Sequence, residues 1–303
     1  AAVVRGVRDV VANVFCQHDT AGAAEPPSLP CVGDVLDAAV SRLDRIPGID
    51  IQPGSGLESI TAIRSPSLTG GAGAGSFLYL EDGVPLRAPG FQNVNAFFDP
   101  IYEVSGGIEV VRGPASALYG SNAVHGLINF LTLPPGEEPA NEVGITFGSH
   151  GFVNAYGTLS DVAQGEASTH GIRFTALATH DDGWRANSGF DQQKGQIRYD
   201  YEDARNTIRT TLSGMNLNQE TASYADDYKH HPLAKENPNP EAYRDAWAFR
   251  FASRWEHDLN EDWTLSLTPY ARSTYMDFLM HFLPGQPTEK NRHWSAGLQS
   301  RGY

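Results

Sequence analysis

The stretch D-A-W-A-F-R-F-A-S-R-W-E-H-D-L, residues 245–259, constrains the fold more than any other part of the chain. Successive side chains of a β-strand point to opposite faces. Extended, this stretch puts Trp247, Phe249, Phe251, Ser253 and Trp255 on one face, and Ala248, Arg250, Ala252, Arg254 and Glu256 on the other. Residues 262–278 repeat the pattern, with Trp263, Leu265 and Leu267 opposite Thr264, Ser266 and Thr268. Further alternating runs lie at 141–149, 152–161, 170–182, 194–202, 206–218 and 293–303, without a helical period between them. Such runs reach about ten residues, longer than the ~5–6 of most sheets. That length is what a tilted strand needs to cross a bilayer.

The connections support the same reading. N-E-D-W (260–263) is tight, whereas 219–244 is long, polar and rich in Asn, Pro and His. Short turns at one end and long loops at the other are the pattern of an outer-membrane β-barrel. The aromatics Trp247, Trp255, Trp263, Tyr270 and Tyr275 fall near strand ends, as an interfacial girdle requires. A soluble β-sandwich also alternates and is the competing architecture; strand length favours the barrel. No run of eighteen apolar residues occurs, which argues against a transmembrane helix but not against barrel strands.

The formal charge of −14 disfavours a nucleic-acid partner, whose phosphates call for a basic face. The N-terminal AAVVRGVRDVVANVF lacks the charged start, apolar core and cleavage site of a signal peptide, so the sequence reads as mature or as incomplete there. Cys16 and Cys31 are spaced for one loop-closing disulfide in an oxidising compartment, or are two ordinary thiols elsewhere.

Residues 1–32 read as a lead-in and linker ending near A-G-A-A-E-P-P, 33–135 as a compact α+β unit, and 141–303 as the strand series. Within the compact unit, Val35, Leu36, Ala39, Val40 and Leu43 form a helical stripe stopped by Pro47-Gly48. Short strands are expected over 57–65, 77–86 and 106–113, with a turn at Asp82-Gly83. G-G-A-G-A-G (70–75) lacks the Lys-Ser/Thr ending of a phosphate-binding loop, and no helical run follows it.

The stretch I-E-V-V-R-G-P-A-S-A-L-Y-G-S-N-A-V-H-G-L-I-N, from Ile108, resembles the closing motif of the plug domain of TonB-dependent outer-membrane receptors. Ile108, Glu109, Val110, Arg112, Gly113, Pro114, Ser116, Tyr119, Gly120, Ala123, Gly126, Ile128 and Asn129 all match that pattern. Upstream, 34–52 resembles the plug's first helix and strand, I-T-A-I-R-S its I-x-I-R-G strand, and F-L-Y-L-E-D-G-V-P-L its L-x-L-x-D-G-V-P strand. Two departures stand out: Ser65 replaces the usual glycine, and His125 fills a slot usually held by a small residue, where it reads as packing. AAVVRGVRD (1–9) is at best a degenerate TonB box.

The resemblance implies a plug followed by antiparallel transmembrane strands of a barrel that in this family has about 22 strands. The residues after Pro135 suffice for about eight, too few to enclose a plug. The chain is therefore expected to be the N-terminal part of a receptor or a truncated product. The implied activity is uptake of a scarce nutrient, foremost a ferric siderophore, across the outer membrane of a Gram-negative bacterium. Plug displacement would be driven by TonB and its inner-membrane energising complex. The alternative is a non-transporting remnant with a surface-binding or signalling role. Neither reading calls for catalysis, a cofactor or a resident metal. Asp226, Asp227, His230 and His231 read as a solvated loop tip, and Met276, Met280 and His281 are too few to claim copper.

Arg64 and Arg112 are the expected plug cations paired with wall carboxylates, with Glu109 in the same network. Ligand contact is expected from Phe91, Gln92, Asn93 and Phe97, aromatics and amides at a mouth suited to a bulky amphipathic ligand; Phe97 could equally pack inward. The residues 279–287, L-M-H-F-L-P-G-Q-P, are expected to form an extracellular loop.

Overall fold

The computed structural model describes residues 2–5, 43, 46–54, 56–64, 77–88, 96–222 and 235–303. Of the helix expected over 35–43, only Leu43 falls among them, and it is helical and buried. Cys16, Cys31, Ser65, the 70–75 glycines, Phe91–Asn93 and the 224–232 histidine segment lie outside the described residues.

Two units share the chain. The first is a five-stranded mixed sheet in the order β1-β6-β7-β4-β5, with a separate β2–β3 hairpin. Its strands are β1 (Ala2–Arg5), β2 (Ile49–Pro53), β3 (Ser59–Ile63), β4 (Phe77–Glu81), β5 (Val84–Pro85), β6 (Gly107–Arg112) and β7 (Gly126–Leu131). The short helix α1 (Ser116–Tyr119) lies between β6 and β7. Asp82 and Gly83 both have positive φ, 47° and 82°, so the D-G pair makes the tight two-residue turn that its composition favours.

Strands β4 and β7 are near-continuous apolar runs because both of their faces are covered. One face carries Ile51, Ile63, Tyr79, Phe97, Tyr102, Ile108 and Phe130. The other packs Leu78, Leu80 and Leu127 on Ala115 and Ala123 of the limb around α1. The turn after β6 needs Gly113 at φ 115°. Gly126 serves close approach instead: a Cβ there would lie 2.5 Å from the Val111 carbonyl oxygen.

The second unit is an antiparallel meander of eight strands, β8 (Glu142–Phe147), β9 (Val153–Gln164), β10 (Ser168–Asp181), β11 (Phe190–Asp203), β12 (Asn206–Glu220), β13 (Tyr243–Asn260), β14 (Trp263–Leu279) and β15 (Thr288–Gly302). From β9 on, the strands run from 12 residues (β9) to 18 residues (β13). Two-residue turns at 204–205 and 261–262 mark one end, and the connections 182–189, 221–242 and 280–287 mark the other. The 279–287 stretch thus ends β14 and turns at the long-loop end. β8 and β15 are the edges of the sheet, which does not close among the described residues.

This sheet is inside out compared with a water-soluble one. Its convex face exposes Val143 (84%), Phe147 (67%), Leu159, Ile172, Phe249, Phe251, Trp294 (80%) and Leu298. Its concave face buries Arg173, Thr175, Gln192, Lys194, Gln196, Arg198, Ser213, Arg250 and Arg272 against the first unit. Apolar outside and polar inside is the arrangement of a lipid-facing wall around a polar lumen. Trp255 and Trp263 stand exposed at the short-turn end, and Trp247 stacks on Tyr275 with ring centroids 6.1 Å apart. Tyr270 departs from the girdle expected of it. Its ring turns inward beneath the Arg272 guanidinium, 5.3 Å away, because it shares the parity of Ser266, Thr268 and Arg272.

Candidate functional site

The site with the most chemistry is the seam between the concave face and the mixed-sheet unit. Alternation along β11 sends Gln192, Lys194, Gln196 and Arg198 inward, and along β13 it sends Arg244, Ala246, Ala248 and Arg250. The first unit offers carboxylates to meet them: Glu58 beside β3, Glu81 at the end of β4, and Asp99 and Glu103 after the 3₁₀ turn Ala96–Phe98.

Arg250 is the centre. Its Nη1 donates to Asp99 Oδ1 at 2.6 Å, its Nη2 donates to the Asp99 carbonyl at 3.3 Å, and its Nε lies 3.7 Å from Glu81 Oε1. The other Asp99 oxygen accepts from Arg87 Nε at 2.9 Å, and Ser213 Oγ donates to Glu81 at 2.6 Å. Beside this group, Lys194 Nζ donates to Glu103 at 2.7 Å and to the Pro100 carbonyl at 2.9 Å, and sits 4.5 Å from the Tyr102 ring centre. Arg244 Nε donates to Glu58 at 2.7 Å while its guanidinium stacks over Phe278. Gln192 completes the row by donating to the Phe98 carbonyl at 3.0 Å.

The two carboxylates that share Arg250 are tuned in opposite directions. Burial pushes both upward. At Asp99 the guanidiniums of Arg250 and Arg87 together outweigh burial and hold the carboxyl below its ordinary range. At Glu81 the more distant Arg250 and the Ser213 hydrogen bond offset burial only in part, so its pKa stays raised.

The expected latch residues sit elsewhere. Arg64 is exposed at φ 52°, with its side chain against Gly48. Arg112 Nη1 donates to the Pro47 carbonyl at 2.7 Å. Glu109 accepts from Asn129 Nδ2 at 2.9 Å. All three knit the first unit together, and among the described residues none forms an ion pair with the wall. The polarity of the seam is therefore the reverse of the expectation: the wall supplies the cations and the inner unit the carboxylates. The physical reason is that Arg64 and Arg112 close the turn at 47–48 rather than facing the eight strands. Phe97 is also corrected. At 0% exposure it packs with Tyr79, Tyr102 and Phe130 in the core, where no ligand reaches it.

Two further features complete the seam. Arg173, 2% exposed, donates to the carbonyls of Pro134 (3.0 Å), Pro139 (2.8 Å) and Glu137, and so ties the link between the units to the wall. Toward the short-turn end a cavity of about 950 Å³ opens between the units, lined among others by Asp82, Glu109, Arg198, Arg209, Arg254 and Arg301. Among the described residues every contact across the seam is non-covalent. The arrangement can hold two bodies together and release them, with each buried ion pair a discrete point of resistance.

Comparison with known proteins gives a consistent result. Residues 39–127 match the family described as TonB-dependent Receptor Plug Domain. The vitamin B12 transporter BtuB of Vibrio vulnificus is 25% identical over 180 residues, which cover 56% of this chain and 28% of BtuB. Among solved structures, the unliganded ferric citrate transporter FecA superposes with a TM-score of 0.71 at 16% identity, over 99% of this chain and 43% of FecA. The ferric yersiniabactin uptake receptor FyuA of Yersinia pestis gives a TM-score of 0.67 at 18% identity, over 90% of this chain and 44% of FyuA. The chain thus spans less than half the length of these relatives, and at those identities the superpositions establish the fold.

Proposed function

We propose, from the premise that this chain is a partial TonB-dependent receptor, that it supplies the plug and adjoining wall of an outer-membrane importer whose plug is displaced to admit a ligand. The observation that carries this reading is the charged seam. Arg250, Lys194 and Arg244 of the wall grip Asp99, Glu81, Glu103 and Glu58 of the plug, and those grips must yield before anything passes. Each grip holds until water or an incoming ligand replaces the partner it loses. Driving that exchange is the role assigned here to TonB and its inner-membrane complex.

The ligand proposed is a ferric siderophore. The similarity to receptors that carry ferric citrate and ferric yersiniabactin supports it, while the similarity to a vitamin B12 transporter keeps the nutrient class broad. Phe91, Gln92 and Asn93 remain the proposed ligand contacts. In sequence they fall between Arg87 and Asp99, which are themselves ion-paired at 2.9 Å.

Uptake of radiolabelled iron into iron-starved cells, supplied as a panel of ferric siderophores, tests both parts. Deleting the gene is expected to abolish uptake of at least one of them, and a protonophore is expected to do the same in the parent. Unchanged uptake of every chelate in the deletion strain would overturn the siderophore. Uptake that persists with the protonophore would overturn energised displacement.

A further inference from the structure

On the convex face, at the short-turn end, a groove of about 330 Å³ lies across strands β11 to β14. Register places Tyr201, Ile208, Trp255 and Leu267 directly opposite one another, one on each strand. Neighbouring strands lie about 4.8 Å apart, so Tyr201 and Trp255 rise from backbones about 10 Å apart with Ile208 between them. The next row toward the turns sets Asn206 opposite His257, and Asp203 ends β11 beside them.

Both aromatic walls of the groove are fixed in place. Trp255, half exposed, donates from Nε1 to Ser253 Oγ at 2.7 Å, and Ser253 shares a hydrogen bond with Thr210. The Tyr201 hydroxyl donates to Asp203 Oδ2 at 2.8 Å, while its ring meets His170 edge-on with centroids 5.1 Å apart. At the polar end, Asn206 Nδ2 donates to both Asp203 oxygens at 2.9 Å, so its Oδ1 accepts from His257 Nδ1 at 2.7 Å. That bond sets the tautomer of a neutral His257 and leaves its Nε2 as an acceptor.

The hairpin turn asks for less than this. Asp203 closes it by accepting from the backbone N–H groups of Arg205 and Asn206 at 2.8 Å each. A turn does not call for two aromatic walls held apart by an isoleucine. The charge of the groove is also one-sided. Among the described residues no lysine or arginine lines it, whereas Asp203 and Glu256 do. Asp203 has the outward parity of Tyr201; Glu256 has the lumen parity and accepts from the Tyr303 hydroxyl at 2.7 Å.

We infer that this groove binds a phospholipid with a primary-amine head group, drawn from the leaflet on the short-turn side. This rests on the outer-membrane reading above, in which short turns face the periplasm, and it concerns a surface that plug displacement does not involve. An acyl chain lies along Ile208 and Leu267, continuous with the apolar convex face. The ammonium sits between Tyr201 and Trp255, whose ring faces attract a cation. Asp203 supplies the countercharge, and His257 Nε2 accepts one of the ammonium N–H groups. An anionic head group would meet a carboxylate there and no lining cation.

The test uses the receptor purified from outer membranes, stripped of lipid in detergent and titrated with dioleoyl phosphatidylethanolamine or dioleoyl phosphatidylglycerol. Native mass spectrometry reads what is retained. One tightly held phosphatidylethanolamine is expected, retained several-fold better than phosphatidylglycerol. Asp203→Asn, which keeps an acceptor for the turn and removes the charge, is expected to bring that ratio toward unity. Trp255→Leu, which keeps the wall apolar, is expected to lower phosphatidylethanolamine retention several-fold and leave phosphatidylglycerol unchanged. Equal or reversed retention in the parent, or a preference unaltered in both variants, overturns the inference and leaves plug displacement in place. A parent receptor found outside the outer-membrane fraction overturns the membrane reading, and this inference with it.

Discussion

Arg250 holds two carboxylates of a neighbouring body from a fully buried position, and its loss has a defined consequence. Arg250→Ala leaves Asp99 and Glu81 buried without their shared cation, and is expected to weaken the plug–wall contact by about 3–5 kcal/mol. The midpoint of urea-induced plug release measures this. Asp99 keeps Arg87 as a partner, so Glu81 is the carboxylate left without a cation, and combining Arg250→Ala with Glu81→Gln is expected to recover much of the loss. A double variant no better than the single one would show that packing, not charge, was lost.

The opposite tuning of those carboxylates gives the seam two acid–base limbs. Asp99 has a folded pKa below its ordinary value of 3.8, so its contribution is present above that value and is lost as pH falls through the lowered one. Glu81 is raised above 4.5, so its contribution is full below that value and declines as pH rises from there toward the raised one. Plug-release midpoints across pH are expected to show both limbs. Glu81→Gln removes the decline on the neutral side and Asp99→Asn the one on the acid side. Profiles that keep both limbs in these variants would contradict the assignment.

At the scale of elements, the wall was legible because alternation is a one-dimensional property. The inward set Gln192, Lys194, Gln196, Arg198 and the outward set Phe249, Phe251, Trp255 can be read from parity alone. The partner of each inward residue was not legible, since pairing across the seam joins residues up to 216 positions apart, as in Gln299 with Gly83. The plug motif marked its own strands and turn, yet its arginine served a local turn at Pro47 rather than the wall. Asp99 and Glu81 carried no motif that set them apart; only the fold brought them to Arg250. Phe97 could not be assigned from sequence because an aromatic beside a loop suits a ligand and a core equally well. Two substitutions probe these elements. Gly126→Ala forces a Cβ against the Val111 carbonyl and is expected to cost about 1–3 kcal/mol. Phe97→Ala opens the aromatic core and is expected to cost about 3–5 kcal/mol. Thermal melts of the receptor would read both. A silent Phe97→Ala that lost ligand binding would return that residue to the ligand.

For the whole molecule, the inverted wall sets an exposed apolar face on one side and a polar face packed on the plug on the other. The convex face exposes Phe249 and Phe251 where lipid would cover them. A charge there, Phe249→Arg, is expected to cost about 2–4 kcal/mol if the residue lies near the bilayer midplane. Folding into lipid vesicles measures it, and an unaffected yield would place that face outside the membrane.

On the function proposed above, the plug leaves the wall when energy is supplied. Ser213, 2% exposed and hydrogen-bonded to Glu81, reports on that directly. In a background lacking Cys16 and Cys31, a Ser213→Cys receptor in living cells can be challenged with a membrane-impermeant maleimide. Supplied with ferric siderophore, respiring cells are expected to label this position, and protonophore-treated cells to leave it protected. Equal labelling with and without the proton gradient would contradict the account.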